Sequence, residues 1–237
     1  IDRAVSKCRV IAVDAETEED LAIIAEAAEG MILCGSAGLL GAYSARMSAP
    51  RSFRTHAPIA RFAVLSGSPA AMSKAQIAAA ASALPDIPFF SHPVARLEDE
   101  LLHLHFMAIT DALRKGESIL VDAAGSSKAD VHAKAGGDTV KLSAESGKLQ
   151  STLQAVAWAA VKAGSQALVL FGGDTAIAVT RALGASGIEI DCEIEPYMPY
   201  GRLIGGEFDG LPVVTKAGAF GSEGSLVAII DRLTHGF

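Results

Sequence analysis

The segments of this chain best suited to bind an anion are short turns rich in glycine and hydroxyl residues. Gly172-Gly173-Asp174-Thr175 follows an apolar run and precedes a helix-like stretch. Glycines let backbone amides approach a phosphate closely, and a helix N-terminus favours negative charge. Thr175 adds a hydroxyl donor, and the Asp174 carboxylate is suited to hold Mg²⁺ through water. A tight turn in which Asp174 or Thr175 caps the helix explains the same residues equally well.

Two further turns have related chemistry. Residues 66–69 (Ser-Gly-Ser-Pro) follow a strand-like run and offer two hydroxyls that suit a phosphate or a ribose, although an ordinary strand-to-helix turn is the alternative. Residues 216–221 (Lys-Ala-Gly-Ala-Phe-Gly) combine a cation with backbone amides, which suits an anionic ligand. Phe220 in this segment is expected in the core rather than against a base.

Several classes of protein are disfavoured because the sequence lacks their motifs or has the residues at unsuitable spacing. The sequence has no Gly-x-x-x-x-Gly-Lys-Ser/Thr loop and no Gly-x-Gly-x-x-Gly after a strand, which disfavours Walker-type and ordinary dinucleotide sites. It has no Gly-x-Ser-x-Gly elbow to support a hydrolase triad. His103 and His105 are two residues apart, so on a helix they point in different directions and favour no metal site.

Composition indicates an ordered globular protein. Of the 237 residues, 50% are hydrophobic and 20% are charged, which is ample material for a core. The formal net charge of -7 disfavours general nucleic-acid binding, and no apolar stretch approaches the ~20 residues that span a bilayer. Cys8, Cys34 and Cys192 lack zinc-ligand spacing and predict buried, reduced thiols. With no secretory signal at the start, the sequence favours a cytoplasmic location.

Strand-like and helix-like stretches alternate along the chain. This alternation predicts an α/β fold, a mostly parallel sheet flanked by helices. At the N-terminus, strands at 9–13 and 31–34 are expected to alternate with two helices as a small β-α-β-α unit, with Thr17 capping the first helix. Residues 49–60 break both periodicities and predict a linker.

The remainder of the chain carries the main strand-like runs. The run at 167–171 is apolar throughout, as expected for a strand covered on both faces. Residues 73–76 (Ser-Lys-Ala-Gln) have capping-box form and predict the start of a helix. Residues 125–148 predict a long loop before a helix at 151–163. The other expected strands and helices are strands at 62–66, 119–121, 188–190, 202–204 and 213–215 and helices at 97–115 and 225–233.

Five segments, taken together, resemble the four-carbon acid sugar kinase family, whose members phosphorylate D-threonate, D-erythronate or 3-oxo-tetronates with ATP. The resemblance spans nearly the whole chain, and five short motifs in the right order and spacing are much more specific than any one. The segments are Val13-Asp14-Ala15-Glu16-Thr17-Glu18-Glu19-Asp20-Leu21, Gly35-Ser36-Ala37-Gly38-Leu39, Leu65-Ser66-Gly67-Ser68 with Ser73-Lys74-Ala75-Gln76, Gly172-Gly173-Asp174-Thr175, and Lys216-Ala217-Gly218-Ala219-Phe220-Gly221.

The resemblance implies a two-domain kinase whose N-terminal domain binds the sugar acid and whose C-terminal domain binds the nucleotide. Residues 1–58 correspond to the last part of the sugar-acid-binding domain and a linker, and residues 59–237 to the nucleotide-binding domain. The family's opening Ala-Asp-Asp-x-Thr-Gly-Ala segment, which helps to form the acid-sugar site, is absent from this sequence. The chain is therefore expected to be a fragment that works with the missing N-terminal part of the same protein. A homodimer is compatible with an Ala-rich α/β protein of this kind.

The resemblance also implies nucleotide contacts. Ser68 matches the family's nucleotide-contacting serine turn. Gly172, Gly173, Asp174 and Thr175 match its Gly-Gly-Glu-Thr nucleotide loop, with Asp in place of the more usual Glu. The replacement keeps the charge but shortens the reach by one methylene.

The remaining matches lie in the last glycine turn and near the N-terminus. Gly218 matches the glycine of the family's Ser-Gly-Asn-Phe-Gly loop, where Ala217 and Ala219 replace Ser and Asn and leave only backbone contacts. Asp14 and Ser36 match on the substrate side.

These observations favour a kinase that uses ATP and Mg²⁺ to phosphorylate the terminal hydroxyl of a four-carbon sugar acid: threonate, erythronate or 3-oxo-tetronate. Phosphoryl transfer depends mainly on positioning and charge neutralisation, which the glycine turns, Lys216 and Mg²⁺ would supply. The catalytic base is assigned to the absent segment, so none is named here. Two alternatives stay open: a non-catalytic module that binds a nucleotide or sugar phosphate, and a different α/β enzyme such as a nicotinamide-dependent one.

Overall fold

The computed structural model of the protein describes residues 10–47, 55–91, 98–124 and 139–237. The chain divides into two compact units, Ile1–Phe53 and Arg54–Phe237. The helices, in chain order, are α1 (Glu18–Ala27), α2 (Ala37–Arg46), α3 (Ala71–Ala83), α4 (Asp99–Arg114), α5 (Thr139–Lys162), α6 (Gly173–Ala182) and α7 (Ser225–His235). None of these helices is long and apolar enough to cross a membrane.

In the first unit, α1 and α2 pack against each other. Helix α1 begins with the predicted cap, because Thr17 Oγ1 accepts a hydrogen bond from the Asp20 backbone N–H at 3.1 Å. The Asp20 carboxylate in turn accepts from the Thr17 N–H at 3.0 Å. Hydrogen bonds that this carboxylate accepts from the Thr17 hydroxyl, at 2.8 Å, and from the backbone N–H groups of Glu16 and Thr17 lower the pKa of Asp20. Local sequence alone therefore sets where this helix starts.

The prediction of two strands in this unit is wrong, because the described residues of the unit form neither. Residues 10–13 and 31–34 are irregular, and the side chains of Val10 and Ile32 are exposed. A strand is stabilised by hydrogen bonds to a neighbouring strand, and neither segment pairs with one among the described residues. Cys34 is also exposed rather than buried, whereas Cys192 is half-buried; Cys8 lies outside the described residues.

The second unit contains a seven-stranded sheet in its described part, with strand order β2-β3-β1-β4-β7-β6-β5. Neighbours from β2 to β7 run parallel, and β6 pairs antiparallel with both β7 and β5. The expected α/β fold with a mostly parallel sheet is thus confirmed. The strands are β1 (Phe62–Ser66), β2 (Phe89–Ser91), β3 (Ile119–Asp122), β4 (Ala167–Phe171), β5 (Gly187–Glu195), β6 (Met198–Ile204) and β7 (Pro212–Lys216).

Helices cover both faces of the sheet, and alternate strand residues point to the two faces. Ala63 and Leu65 of β1 pack in one core cluster with residues of α4, α5 and α6. Phe62 and Val64 pack in the other with residues of α3 and α7. The central strands are fully buried, which explains why their sequences are apolar without interruption.

Helix α5 corrects the sequence analysis, which expected a loop as far as residue 148. The helix begins at Thr139. Leu149 and Leu153, near the middle of the helix, pack in or against the core cluster that contains Leu65, and these tertiary contacts outweigh the low helix propensity of Gly147. The rest of the expected loop, residues 125–138, lies outside the described residues.

Candidate functional site

The sheet has a topological switch point between β1 and β4. After β1 the chain continues to β2 and β3 on one side, and after β4 it continues through α6 and the β5–β6 hairpin to β7 on the other. In parallel sheets, ligands bind beyond the carboxyl ends of the strands at such a point. The last residues of three adjacent strands, Ser66, Phe171 and Lys216, are register partners here, so the turns that follow them meet.

These turns enclose a cavity of about 360 Å³. All six residues predicted to contact a nucleotide lie in its wall, although they come from three separate segments, around Ser68, Gly172 and Gly218. The lining residues are Gly67, Ser68, Pro69, Ala70, Gly172, Gly173, Asp174, Thr175, Gly218 and Ala219.

The N-termini of two helices meet at this cavity. The N-cap residues, Ala70 for α3 and Gly172 for α6, both line it, and neither helix has a side-chain cap. The idea that Asp174 or Thr175 caps α6 is therefore wrong. The first amides of a helix have no intrahelical acceptor, and the helix dipole places positive charge beside them. Two uncapped N-termini at one cavity give it the groups that an anion binds.

Glycine is required at two lining positions for different reasons. Gly172 has φ +104° and ψ 136°, a conformation that residues with a side chain rarely adopt. At Gly218 the constraint is space, because a Cβ there would lie 2.6 Å from Ser68 Oγ. The turn after β7 thus passes so close to the turn after β1 that a larger residue at 218 would have to displace the Ser68 side chain.

Two residues of α3 hold the turn after β7 in place, and the capping-box prediction at Ser73 is wrong because α3 begins two residues earlier. The buried Ser73 hydroxyl lies 2.9 Å from the Gly218 carbonyl and 3.1 Å from Ser68 Oγ. Gln76 Nε2 donates to the carbonyls of Phe220, at 3.1 Å, and Ser222, at 2.7 Å. The three-residue spacing that suggested a cap puts both side chains on the helix face toward the loop.

Lys216 lies beneath the cavity and is not among its lining residues. Its side chain is 2% exposed, and Nζ donates to the carbonyls of Ala217 and Gly218, both at 3.0 Å. Nζ also lies 4.8 Å from the centre of the Phe171 ring. Burial lowers the pKa of Lys216 to about 8. Lys216, which the sequence suggested as a cation for an anionic ligand, thus donates to carbonyls of the loop instead of lining the cavity. Its ammonium group still lies next to Gly218, which does line it.

Asp122 is a carboxylate at the same edge of the sheet that sequence reasoning missed. It ends β3, next to Ser66 in register, and is buried. Burial raises its pKa, while a hydrogen bond from the Ala124 N–H at 3.3 Å and the charge of Lys74 act in the opposite direction. An acid directly after the apolar run of β3 was the signal available in the sequence.

The remaining singled-out residues have separate positions. Asp14 is exposed in an irregular segment of the first unit, and Ser36 caps α2, its Oγ accepting from the Leu39 N–H at 3.4 Å. On α4, His103 is exposed, whereas His105 is buried against the Phe90 ring, 5.8 Å between centroids. The two histidines therefore diverge, as their spacing predicted.

Comparison with known proteins identifies the second unit. Residues 63–226 match the family described as nucleotide-binding C-terminal domain. A D-threonate kinase of Salmonella typhimurium is 52% identical over 59 residues, which is 25% of this chain and 14% of that protein. A 3-oxo-tetronate kinase of Burkholderia multivorans is 26% identical over 228 residues, which is 90% of this chain and 50% of that protein. The chain thus spans at most half the length of these relatives.

Solved structures have the same fold. A Haemophilus influenzae protein of the DUF1537 family aligns with a TM-score of 0.68 at 23% identity, over 98% of this chain and 55% of the other. A Bordetella bronchiseptica protein of that family, a domain-swapped dimer with bound citrate, aligns with a TM-score of 0.53 at 27% identity, over 99% and 56%. Because the family match covers more than half of the chain, the protein belongs to the family of the nucleotide-binding C-terminal domain of the four-carbon acid sugar kinases.

Proposed function

We propose that residues 59–237 bind ATP and present it for transfer of its terminal phosphoryl group. The convergence of three turns and two uncapped helix N-termini on one cavity carries this proposal. Backbone amides and helix dipoles stabilise phosphate oxygens without any change of protonation. The buried ammonium of Lys216, 3.0 Å from the Gly218 carbonyl, adds positive charge beneath them.

The site also suits Mg²⁺. Asp174 lies in the first turn of α6 and lines the cavity, so its carboxylate would repel a polyphosphate unless a cation lay between them. Mg²⁺ is commonly held by one or two carboxylates together with substrate phosphates and waters. Asp174 would hold the ion through water, and the ion would neutralise charge on the phosphates.

We propose a four-carbon sugar acid as the phosphoryl acceptor, with threonate, erythronate and 3-oxo-tetronate as candidates. The kinases named for Salmonella typhimurium and Burkholderia multivorans support this class of substrate. Residues 1–58 would belong to the sugar-acid side, with Asp14 and Ser36 as contacts matched by resemblance. The effect of Asp14→Ala and Ser36→Ala on KM for the sugar acid, against an unchanged KM for ATP, tests that assignment.

Nucleotide binding is tested by calorimetric titration of the chain with ATP and Mg²⁺, with NAD as the control ligand. We expect binding of ATP and none of NAD. Gly173→Val tests the position of the phosphates, because a Cβ at Gly173 has no atom within 4 Å and the larger side chain would occupy the cavity without disturbing the fold. Gly224→Ala, also with open space around its Cβ and outside the cavity lining, is the matched control. Unchanged ATP affinity in Gly173→Val would refute the site.

The alternative is a non-catalytic module that binds a nucleotide or a sugar phosphate. The alanines at 217 and 219 favour it, because the wall near Gly218 then offers only backbone groups. Phosphoryl transfer from ATP to each of the three sugar acids, measured with the rest of the kinase supplied, separates the two functions. Transfer would reject the module, and ATP binding without transfer to any acid would support it.

A homodimer is proposed as well. The Bordetella bronchiseptica relative is a domain-swapped dimer, which supports association in this fold. Light scattering during size-exclusion chromatography tests it, and a mass of 24.4 kDa, that of one chain, at all concentrations would rule the dimer out.

A further inference from the structure

Two aromatic side chains form an exposed pair next to the cavity. The ring centroids of Tyr197 and Phe220 lie 5.1 Å apart, with an angle of 38° between the planes. Tyr197 is 58% exposed and Phe220 is 44% exposed. Phe220, which the sequence predicted to be in the core, instead presents its ring to solvent beside Tyr197. Together the two rings present an aromatic surface that a flat apolar ligand would cover and remove from water.

Hydrogen bonds hold the backbone that carries both rings. Tyr197, in the turn between β5 and β6, has φ +64°, a conformation uncommon for a bulky residue. Its N–H donates to Glu193 Oε1 at 2.5 Å. Such strained residues persist where surrounding structure fixes them, and they concentrate at ligand sites. On the other side, the Phe220 carbonyl accepts from Gln76 Nε2 at 3.1 Å, so the loop backbone is tied to α3 while the ring is exposed.

The pair is continuous with the cavity. Gly218 and Ala219 line the cavity, and Phe220 is the next residue along the chain. Two residues span at most about 7 Å, so the Phe220 backbone lies within the length of a nucleoside triphosphate from the glycine turns. Gly221, which follows, packs against Met198, the neighbour of Tyr197 in sequence. The loop and the hairpin turn therefore meet beside the site.

We propose that Tyr197 and Phe220 form the surface on which the base of the nucleotide stacks, an inference that rests on the proposed ATP site. A nucleotide is a ligand that combines an anion with a flat aromatic ring at a short, fixed separation. The cavity accepts the anion through two helix N-termini, and the exposed rings beside it accept the base through their faces. Stacking of this kind needs no hydrogen-bonding code, so the pair would supply affinity more than discrimination between bases.

The test compares a nucleotide with a ligand that has the phosphates alone. Calorimetric titration of the full chain with ATP and with inorganic tripolyphosphate is carried out on Phe220→Ala and on Tyr197→Asn, since Asn tolerates a positive φ. We expect ATP affinity to fall about 10-fold in each variant and tripolyphosphate affinity to stay unchanged. Phe220→Tyr, which keeps a ring, should retain wild-type ATP affinity.

Trp158→Ala is the matched control, because Trp158, on α5, is also 44% exposed and also pairs with a second ring, Phe208, but neither residue lines the cavity. It should leave both affinities unchanged. Wild-type ATP affinity in Phe220→Ala, or an equal loss for ATP and tripolyphosphate, would overturn the stacking surface while leaving the phosphate site in place. A wild-type chain that binds neither ligand would overturn the proposed function and the stacking surface together.

Discussion

Replacing the two neighbouring glycines at the start of α6 should separate the stability of the site from its ability to bind. At Gly172, φ +104° makes any residue with a Cβ strained, and the Cβ itself would lie 3.4 Å from Thr175 Oγ1. A residue with a side chain held in such a conformation costs of order 1–3 kcal/mol. For Gly172→Ala we expect a loss of about 2 kcal/mol in the free energy of unfolding. For a domain of this size that loss corresponds to about 4 to 8 °C in Tm.

Gly173→Ala should have the opposite effect on stability. Gly173 is the first residue of α6, has no positive φ, and a Cβ there would have open space around it. Alanine at a compatible position stabilises by about 0.4–1 kcal/mol, because the unfolded chain has less freedom to lose. Gly173 lines the cavity, however, so a larger side chain in Gly173→Val should weaken ATP binding at least about tenfold, a loss of about 1.4 kcal/mol.

Urea denaturation followed by far-UV circular dichroism, together with ATP titration, measures both effects. The chain has two compact units, so the transition of the sheet-containing unit Arg54–Phe237 is the one to compare among variants. Wild-type stability in Gly172→Ala would refute the strained turn. A loss of stability in Gly173→Val as large as that in Gly172→Ala would refute the open space at the second glycine, and then a loss of ATP binding would carry no information on the phosphates.

Three further predictions concern the loop after β7 and its supports. Gly218→Ala should weaken ATP binding about tenfold, because its Cβ would lie 2.6 Å from Ser68 Oγ and displace this side chain, which lines the cavity; an affinity equal to that of the control Gly224→Ala would contradict this. Gln76→Leu should lower the free energy of unfolding by about 1 kcal/mol in urea titrations, since two loop carbonyls lose their donor. An unchanged value would show that those hydrogen bonds contribute nothing. Burial lowers the pKa of Lys216 from 10.5 to about 8, so between these values the unfolded chain holds more protons and stability should rise with pH. Relative to Lys216→Met, the wild-type free energy of unfolding should increase by about 2 kcal/mol between about pH 7.5 and about pH 9.5, and a difference that does not vary with pH would contradict the buried ammonium.

Local sequence accounts well for individual elements of the second unit. The strands β1, β3 and β4 were found at or within one residue of their true bounds, since each is an apolar run that the sheet buries on both faces. In the first unit, the cap at Thr17 was found because its hydrogen bonds involve residues three positions apart. Apolar runs alone were insufficient at 10–13 and 31–34, where no strand pairs with them in the described part of the chain.

Errors arose where a distant contact decides the outcome. Helix α5 extends back to Thr139 although Gly147 disfavours a helix, because Leu149 and Leu153 are held by the core. Ser73 resembles a cap but is instead the partner of the Gly218 carbonyl, 145 positions away. Phe220 is of an apolar residue type that is usually buried, and only the path of the loop leaves it exposed.

By itself the sequence determined which turns have the chemistry to bind phosphate, and the order of five motifs pointed to the family. Those properties depend on residue type and on spacing within short segments, and both can be read from the chain directly. Only the tertiary structure decided that the turns share one cavity, because that depends on β4 lying between β1 and β7, and strand order is set by packing rather than by periodicity. The position of Lys216 in the sequence suggested that its ammonium group enters the site. The same packing instead directs this group to the loop carbonyls beneath the site.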